Sequence, residues 1–255
     1  MGLFGKGVAR ICAVVAAPSA RETATDLRRA LRETPTVELR LDWLKSDSER
    51  RRFLDWLRRN RARRAVLIAT CRRREGGGLF AGSVAAELHW LSQAAEAGCL
   101  WCDLEIETLR KLPPNSIREH SLPPRILLSV HDFERMPALN PALGGRWRRE
   151  VDAIKVAGAV RTIADSARLL RFAARSPNTV AVPMGEIGLP SRVLALRQGS
   201  ALAYAPISAA TAPGQISLSE MKQLYRAHAL NRQTQVFGVI GDPIAHSLSP
   251  LLQNT

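Results

Sequence analysis

One lysine and one histidine stand where residues of their type could do chemistry. Lys155 lies in the run DAIKVAG (152–158), between Ile154 and Val156, and a strand there would share the lysine's face only with Ala153 and Ala157. Such a lysine is either at a solvated edge or desolvated. Desolvation lowers the pKa of an amine and makes it a nucleophile toward ketones. The chain is strongly biased to arginine, and only five of its 37 basic residues are lysines (Lys6, Lys45, Lys111, Lys155 and Lys222). A guanidinium cannot form an imine, so a lysine kept at 155 is a candidate nucleophile. His131 closes the run RILLSVHDF (125–133), on one strand face with Leu127 and Ser129. Its unperturbed pKa, about 6.5, suits proton transfer near neutrality.

Charges recur where a buried strand should be apolar. In VELRLD (37–42), Glu38, Arg40 and Asp42 alternate with Val37, Leu39 and Leu41. In 102–106, Asp103 and Glu105 alternate with Cys102, Leu104 and Ile106. If the apolar sets face a surrounding layer, the charges point inward, where each one needs a partner.

The elements that must position these residues alternate regularly. Period-2 or β-rich runs near 10–17, 36–42, 65–71, 99–106, 125–130, 152–157, 178–184 and 200–206 predict strands. Helical patterns fall near 19–32, 47–61, 81–97, 107–119, 136–150, 161–175, 189–198 and 216–230. Strict alternation demands parallel strands with crossover helices, and eight units in one domain of 255 residues favour a closed (β/α)8 TIM barrel. No G-x-G-x-x-G follows any of these strands, so a dinucleotide-binding fold lacks its fingerprint. Ser217 with Glu220 reads as a capping box for the last helix, whereas Pro113 and Pro114 interrupt the fourth. In a barrel, His131 would stand at the C-terminal end of its strand, the end that carries catalysis.

Composition sets limits on the reading. With 46% hydrophobic and 24% charged residues and no run of about 18 apolar residues, the chain reads as soluble, without a membrane partner. The four cysteines (Cys12, Cys71, Cys99, Cys102), with no secretory signal, point to free thiols in a reducing compartment, by default the cytoplasm. Cys99 and Cys102 make a C-x-x-C inside a strand pattern, poor ground for a redox motif. The net charge of +14 allows a nucleic-acid partner, and arginines crowd onto 49–64. They bracket an amphipathic helical pattern with no interleaved aromatic motif, so a solvated helix face is the expectation and no nucleic-acid partner.

Six segments are together similar to those of type I 3-dehydroquinate dehydratases: VELRLD (37–42), ATCR (69–72) with EGG (75–77), SVHDF (129–133), IKVA (154–157), GLPSR (188–192) and APGQ (212–215). They occur in order, on successive strand ends. The resemblance implies dehydration of the small molecule 3-dehydroquinate to 3-dehydroshikimate, without metal or cofactor. Lys155 would form the imine, His131 would move the protons, and Glu75 would pair with His131. The same resemblance assigns Glu38, Arg40 and Arg72 to the ring hydroxyls and Arg192 to the substrate carboxylate. It places Thr211 and Gln215 in a loop closing over the site, and it implies a homodimer. Two departures stand out: the interval from Arg72 to Glu75 is one residue shorter than the family pattern, and the amino terminus is short for a β-hairpin that would plug the barrel. Another Schiff-base barrel, such as a class I aldolase, would share Lys155 but not need Arg192.

After about residue 232 the run QVFGVIGDPIAHSLSP (235–250) reads as a strand, a turn and a serine pair. It resembles the start of the substrate-binding domain of shikimate dehydrogenases, with Ser247 and Ser249 at the shikimate-binding hydroxyls. The expected organisation is a dehydratase barrel over 1–232 and an incomplete second unit over 233–255.

Overall fold

The computed structural model describes residues 3–4, 6–60, 64–113, 116–140, 143, 145–208, 215–239, 241, 246–249 and 252. Eight strands form one parallel sheet: β1 (Ile11–Val15), β2 (Thr36–Arg40), β3 (Val66–Thr70), β4 (Trp101–Glu105), β5 (Arg125–Asp132), β6 (Ala153–Ala159), β7 (Thr179–Met184) and β8 (Ala203–Pro206). Each strand pairs with its successor from β1 to β7, and β8 returns to pair with β1. Between β7 and β8 the ring is completed just outside the ladder, where the Ala201 N–H donates to the Thr179 carbonyl (2.8 Å) and the Ala181 N–H to the Ser200 hydroxyl (3.0 Å). This is the expected α/β barrel.

The helices that wrap it start where side chains cap them. Ser19 accepts from the Glu22 N–H at the start of α1 (Ala20–Glu33), and Ser46 does the same for Glu49 in α2 (Asp47–Arg59). Thr162 and Asp165 form a reciprocal capping box on α5 (Ile163–Arg175). Each cap satisfies amide groups that the first helical turn leaves without partners. Apolar positions three and four apart then face the strands, as Leu27 and Ala30 do in α1 and Leu169, Leu170 and Ala173 in α5.

Several expected helices are shorter or missing. The fourth is only Ile106–Leu109 (α4), because Pro113 and Pro114 follow at once. Residues 136–140 are not helical, and only a 3-10 turn, Gly145–Arg149, represents the helix expected over 136–150. Pro137, Pro141 and the Gly144–Gly145 pair oppose a continuous helix there. After α3 (Val84–Glu96) and α6 (Leu189–Leu194), the last helix is a π-turn, Glu220–Leu224, stopped by Arg226 at φ 47°. Its capping pair does form: Glu220 accepts from the Ser217 N–H at 2.9 Å, and the Ser217 hydroxyl accepts from the Glu220 N–H at 3.2 Å.

The barrel interior is layered. Its lower layer is apolar, with Cys12, Ile68, Trp101, Leu127, Ala153, Val180 and Leu202 packed together. Phe4 seals it from below, stacked on Trp101 at a centroid distance of 4.3 Å. A 3-10 turn, Gly7–Arg10, leads into β1 at the same end. Above this layer the interior turns polar.

Candidate active site

Strand register explains how the polar layer is assembled. On β6, Lys155 alternates with the outward Ile154 and Val156, and on β5, Ser129 and His131 alternate with the outward Leu128 and Val130. Lys155 pairs with Ser129 and Ala157 with His131, so His131 stands one pleat nearer the strand ends than Lys155. Glu38 and Arg40 on β2 and Asp103 and Glu105 on β4 face the same interior, while Val37, Leu39, Cys102 and Leu104 join the outer core. The alternation seen in the sequence is therefore physical.

Lys155 is neither solvated nor alone. It is 5% exposed, and its Nζ donates to Asp103 Oδ2 at 2.9 Å and Glu38 Oε1 at 3.3 Å. The Nζ also lies 4.3 Å from the ring centroid of Tyr204, a geometry that favours a cation. The Thr70 hydroxyl donates to Glu38 (2.9 Å), and the Ser129 hydroxyl donates to the second oxygen of Asp103. Burial alone would push the Asp103 carboxyl up, but Lys155 and Arg72 beside it hold it well below the usual carboxylate range. It is an anion built to face cations.

Arg72 spans two carboxylates, with Nη2 3.4 Å from Asp103 Oδ2 and Nε 3.1 Å from Glu105 Oε1. Arg40 is held from behind, its Nε and Nη2 donating to the two oxygens of Asp42 at 2.9 and 2.7 Å. Burial, with Arg72 and Lys155 nearby, pushes the His131 imidazole well below its usual pKa, which favours its unprotonated form, able to accept a proton. Phe133 stacks on it with centroids 6.1 Å apart. On α6, Arg192 donates from Nε to the Pro183 carbonyl at 2.7 Å.

A cavity of about 290 Å³ joins these groups, lined among others by Glu38, Arg40, Arg72, His131, Lys155, Arg192, Tyr204 and Gln215. Larger depressions beside α5 (about 660 Å³) and α1 (about 540 Å³) lie on the surface and lack such a set of buried ionisable groups. Chemistry, not size, selects the smaller one.

One expected site residue is misplaced. Glu75 is not at His131: its carboxylate is 55% exposed and bonds Arg73 (2.7 Å) and Lys111 (2.8 Å). Glu105 occupies the ground beside His131, with Oε1 3.9 Å from Nδ1. Thr211 lies outside the described residues. Ser247 and Ser249 do not line the cavity; the Ser249 N–H donates to the Ser247 hydroxyl at 3.2 Å. Cys71 sits in the outer core, 1% exposed, so it is not an accessible thiol of the pocket. Reading the sequence gave no role to Tyr204, although alternation in ALAYAP (201–206) would have turned it inward. The arginine-rich helix α2 behaves as an ion-paired face: Arg52 meets Glu49, Arg58 meets Asp55 and Glu96, and Arg50 is buried against the Leu41 and Leu44 carbonyls.

Comparison with known proteins gives the site its context. The sequence profile of type I 3-dehydroquinase matches residues 11–232. The chain is 27% identical over 256 residues to the chloroplastic bifunctional 3-dehydroquinate dehydratase/shikimate dehydrogenase of Arabidopsis thaliana, a match covering 98% of the chain but 42% of that protein. It is 33% identical over 192 residues to a 3-dehydroquinate dehydratase of Dehalococcoides mccartyi (strain BAV1), covering 68% of the chain and 83% of the relative. In three dimensions it is similar to the 3-dehydroquinate dehydratase of Geobacillus kaustophilus, with TM-score 0.72 at 22% identity over 85% of this chain and 89% of that one.

Proposed function

Because the chain belongs to the type I 3-dehydroquinase family and its reaction is the dehydration of 3-dehydroquinate, we propose that Lys155 forms the imine and His131 moves the protons. The observation that carries this reading is Lys155, its Nζ donating to Asp103 and Glu38 at the floor of a cavity that His131 also lines.

The lysine nitrogen, giving two of its ammonium protons to the ketone oxygen as that oxygen leaves as water, bonds the ring carbon and leaves an iminium, which acidifies the neighbouring C–H. The neutral imidazole of His131 takes that proton. As imidazolium it then protonates the departing hydroxyl, and hydrolysis of the imine returns the amine. Glu38, Arg40 and Arg72 would orient the ring hydroxyls, and Arg192 would hold the carboxylate. Gln215, on the cavity wall, and Thr211 belong to the loop proposed to close over the substrate. Tyr204 joins them as the aromatic floor under the iminium.

Among the described residues no helix is long and apolar enough to cross a membrane. We propose a cytoplasmic homodimer, following the family resemblance. Residues 233–255, with Ser247 and Ser249, are proposed to begin a second unit of the shikimate dehydrogenase type, supported by the plant enzyme's alignment across 98% of the chain.

The test is trapping. Borohydride added with 3-dehydroquinate should inactivate the enzyme, and peptide mapping should find the reduced adduct on Lys155. An adduct on another lysine, or none in an enzyme that turns over, would sink the assignment of Lys155.

A further inference from the structure

With Glu75 paired to Arg73 and Lys111, His131 lacks the carboxylate expected for it, and the structure offers another. We propose that Glu105 is the positioning residue of His131, fixing its ring and supporting the imidazolium through Nδ1, and that Glu75 has left that task.

Geometry carries the inference. Glu105 Oε1 and His131 Nδ1 are 3.9 Å apart, and their side chains are 4% and 5% exposed. Neither atom has a hydrogen-bond partner, so each lacks what the other provides. Catalytic hydrogen bonds often stand long in an empty site and tighten once substrate is bound. Space for the carboxylate has been made by the loop itself. A Cβ on Gly76 would lie 1.9 Å from Glu105 Oε1, so any other residue there would push the carboxylate out of this position. Beside it Gly77, at φ 77°, turns the chain away and keeps Phe133 against His131. Glu75, meanwhile, is committed to Arg73 and Lys111 at the surface.

The arrangement also suggests when the pair closes. Arg72 reaches Glu105 Oε1 without an aligned hydrogen bond, and it also contacts Asp103. A substrate hydroxyl that drew the guanidinium toward the cavity would free that oxygen for His131. The inference rests on the assignment of His131 as acid/base, but not on that of Lys155.

Charge determines the pH dependence. Glu105 faces Arg72 and the Arg73 backbone from the loop after β3, Asp103 on its own strand, Glu107 on α4, Glu87 on α3 and His131 on β5. Burial raises its pKa to about 7, with Arg72 lowering it and Asp103 and Glu107 raising it. His131 faces Arg72, Lys155, Asp103 and Arg40, and burial with these cations lowers its pKa. Below about pH 7, Glu105 becomes neutral and can no longer support an imidazolium, so kcat should fall as pH drops through that region.

The experiment combines nitrogen-15 NMR of the histidines in the free enzyme with pH profiles of kcat and KM for wild type, Glu105→Gln, Glu105→Asp and Glu75→Gln. In wild type the His131 nitrogens should report a second titration near pH 7 that belongs to Glu105. Glu105→Gln should erase both that titration and the acid limb. It should lower kcat roughly 10- to 100-fold, the range for outer partners that orient a functional histidine, with KM little changed. Glu105→Asp should keep a limb, displaced, and it carries the same comparison if the glutamine variant does not fold. Loss of the limb in Glu75→Gln, or its persistence with unchanged His131 resonances in both Glu105 variants, would overturn the proposal. Because the NMR titration needs no substrate, a failure of the catalytic assignment would show separately, as a dead wild-type reaction with the His131–Glu105 coupling intact.

Discussion

Arg192 gives the sharpest quantitative test of substrate recognition. Its Nε is already committed to the Pro183 carbonyl at 2.7 Å, which fixes the guanidinium plane and leaves the two Nη groups for the cavity it lines. Burial lowers its pKa, and among the described residues no carboxylate pairs with it, so its charge waits for an anion. A substrate carboxylate held by both Nη groups would receive two charge-assisted hydrogen bonds, each contributing about 1.5–3 kcal/mol. Arg192→Lys cannot reproduce the fork and should lose about one of them, a rise in KM of roughly 10- to 150-fold. Arg192→Ala loses both and should raise KM by roughly 100-fold or more. The carboxylate keeps its charge from substrate to product, so most of the interaction is already made in the bound substrate, and kcat should change less than KM. Initial rates, read from the enone absorbance of the product, measure both constants. Wild-type KM in both variants would refute the clamp, and a loss of kcat at constant KM would place Arg192 in the chemistry instead.

Two further outcomes follow from the burial of individual groups. His131→Ala should still form the Lys155 adduct under borohydride but lose about 10²- to 10⁴-fold in turnover, and near-normal rates would show the imidazole to be structural. Glu87 on α3 is 1% exposed and accepts from the Thr108 hydroxyl at 2.8 Å, yet burial raises its pKa from 4.5 to about 8. A raised folded pKa means that this group's stability is fully present below its unfolded pKa and is lost as pH rises through about 8. Glu87→Gln should therefore flatten the fall in melting temperature between pH 5 and 9, at about 2–4 °C per kcal/mol for a chain of this size; parallel wild-type and variant curves would show that Glu87 is not the group responsible.

Much of this site was legible because period 2 in a barrel strand is a geometric rule. Once Val37, Leu39, Cys102 and Leu104 face the helices, Glu38, Arg40, Asp103 and Glu105 must face inward, and Lys155 and His131 follow from the same alternation on β5 and β6. What periodicity does not carry is loop geometry. Glu75 was placed by its motif, but a motif does not fix which way a loop side chain turns, and here Lys111 and Arg73 hold it at the surface. The helix expected over 136–150 failed for a related reason: its apolar spacing was countered by prolines and glycines whose effect on the backbone outweighs a weak amphipathic pattern. Tyr204 was hidden because a tyrosine gives no chemical signal until Lys155 is seen over its ring.

The buried charges also bear on why the barrel tolerates them. Arg40, Arg72, Lys155 and Arg192 oppose Glu38, Asp42, Asp103 and Glu105 around one cavity, and most are bound to a neighbour of opposite sign. Such a network is weak evidence for stability, because the cost of removing each charge from water offsets much of the attraction. Its value lies in the reaction. If Lys155 forms the imine as proposed, an ammonium becoming an iminium would keep its positive charge at the same nitrogen, so Asp103, Glu38 and the Tyr204 ring would stabilise the intermediate without reorienting. The proton removed from the substrate is the charge that does move. On the role proposed for His131 it would go there, to a side chain whose burial disfavours the imidazolium and whose Nδ1 lies 3.9 Å from the buried Glu105 carboxyl. On these proposed roles positive charge would be anchored at the floor of the barrel and mobile only at its mouth, keeping the iminium in place while the proton is carried across the substrate.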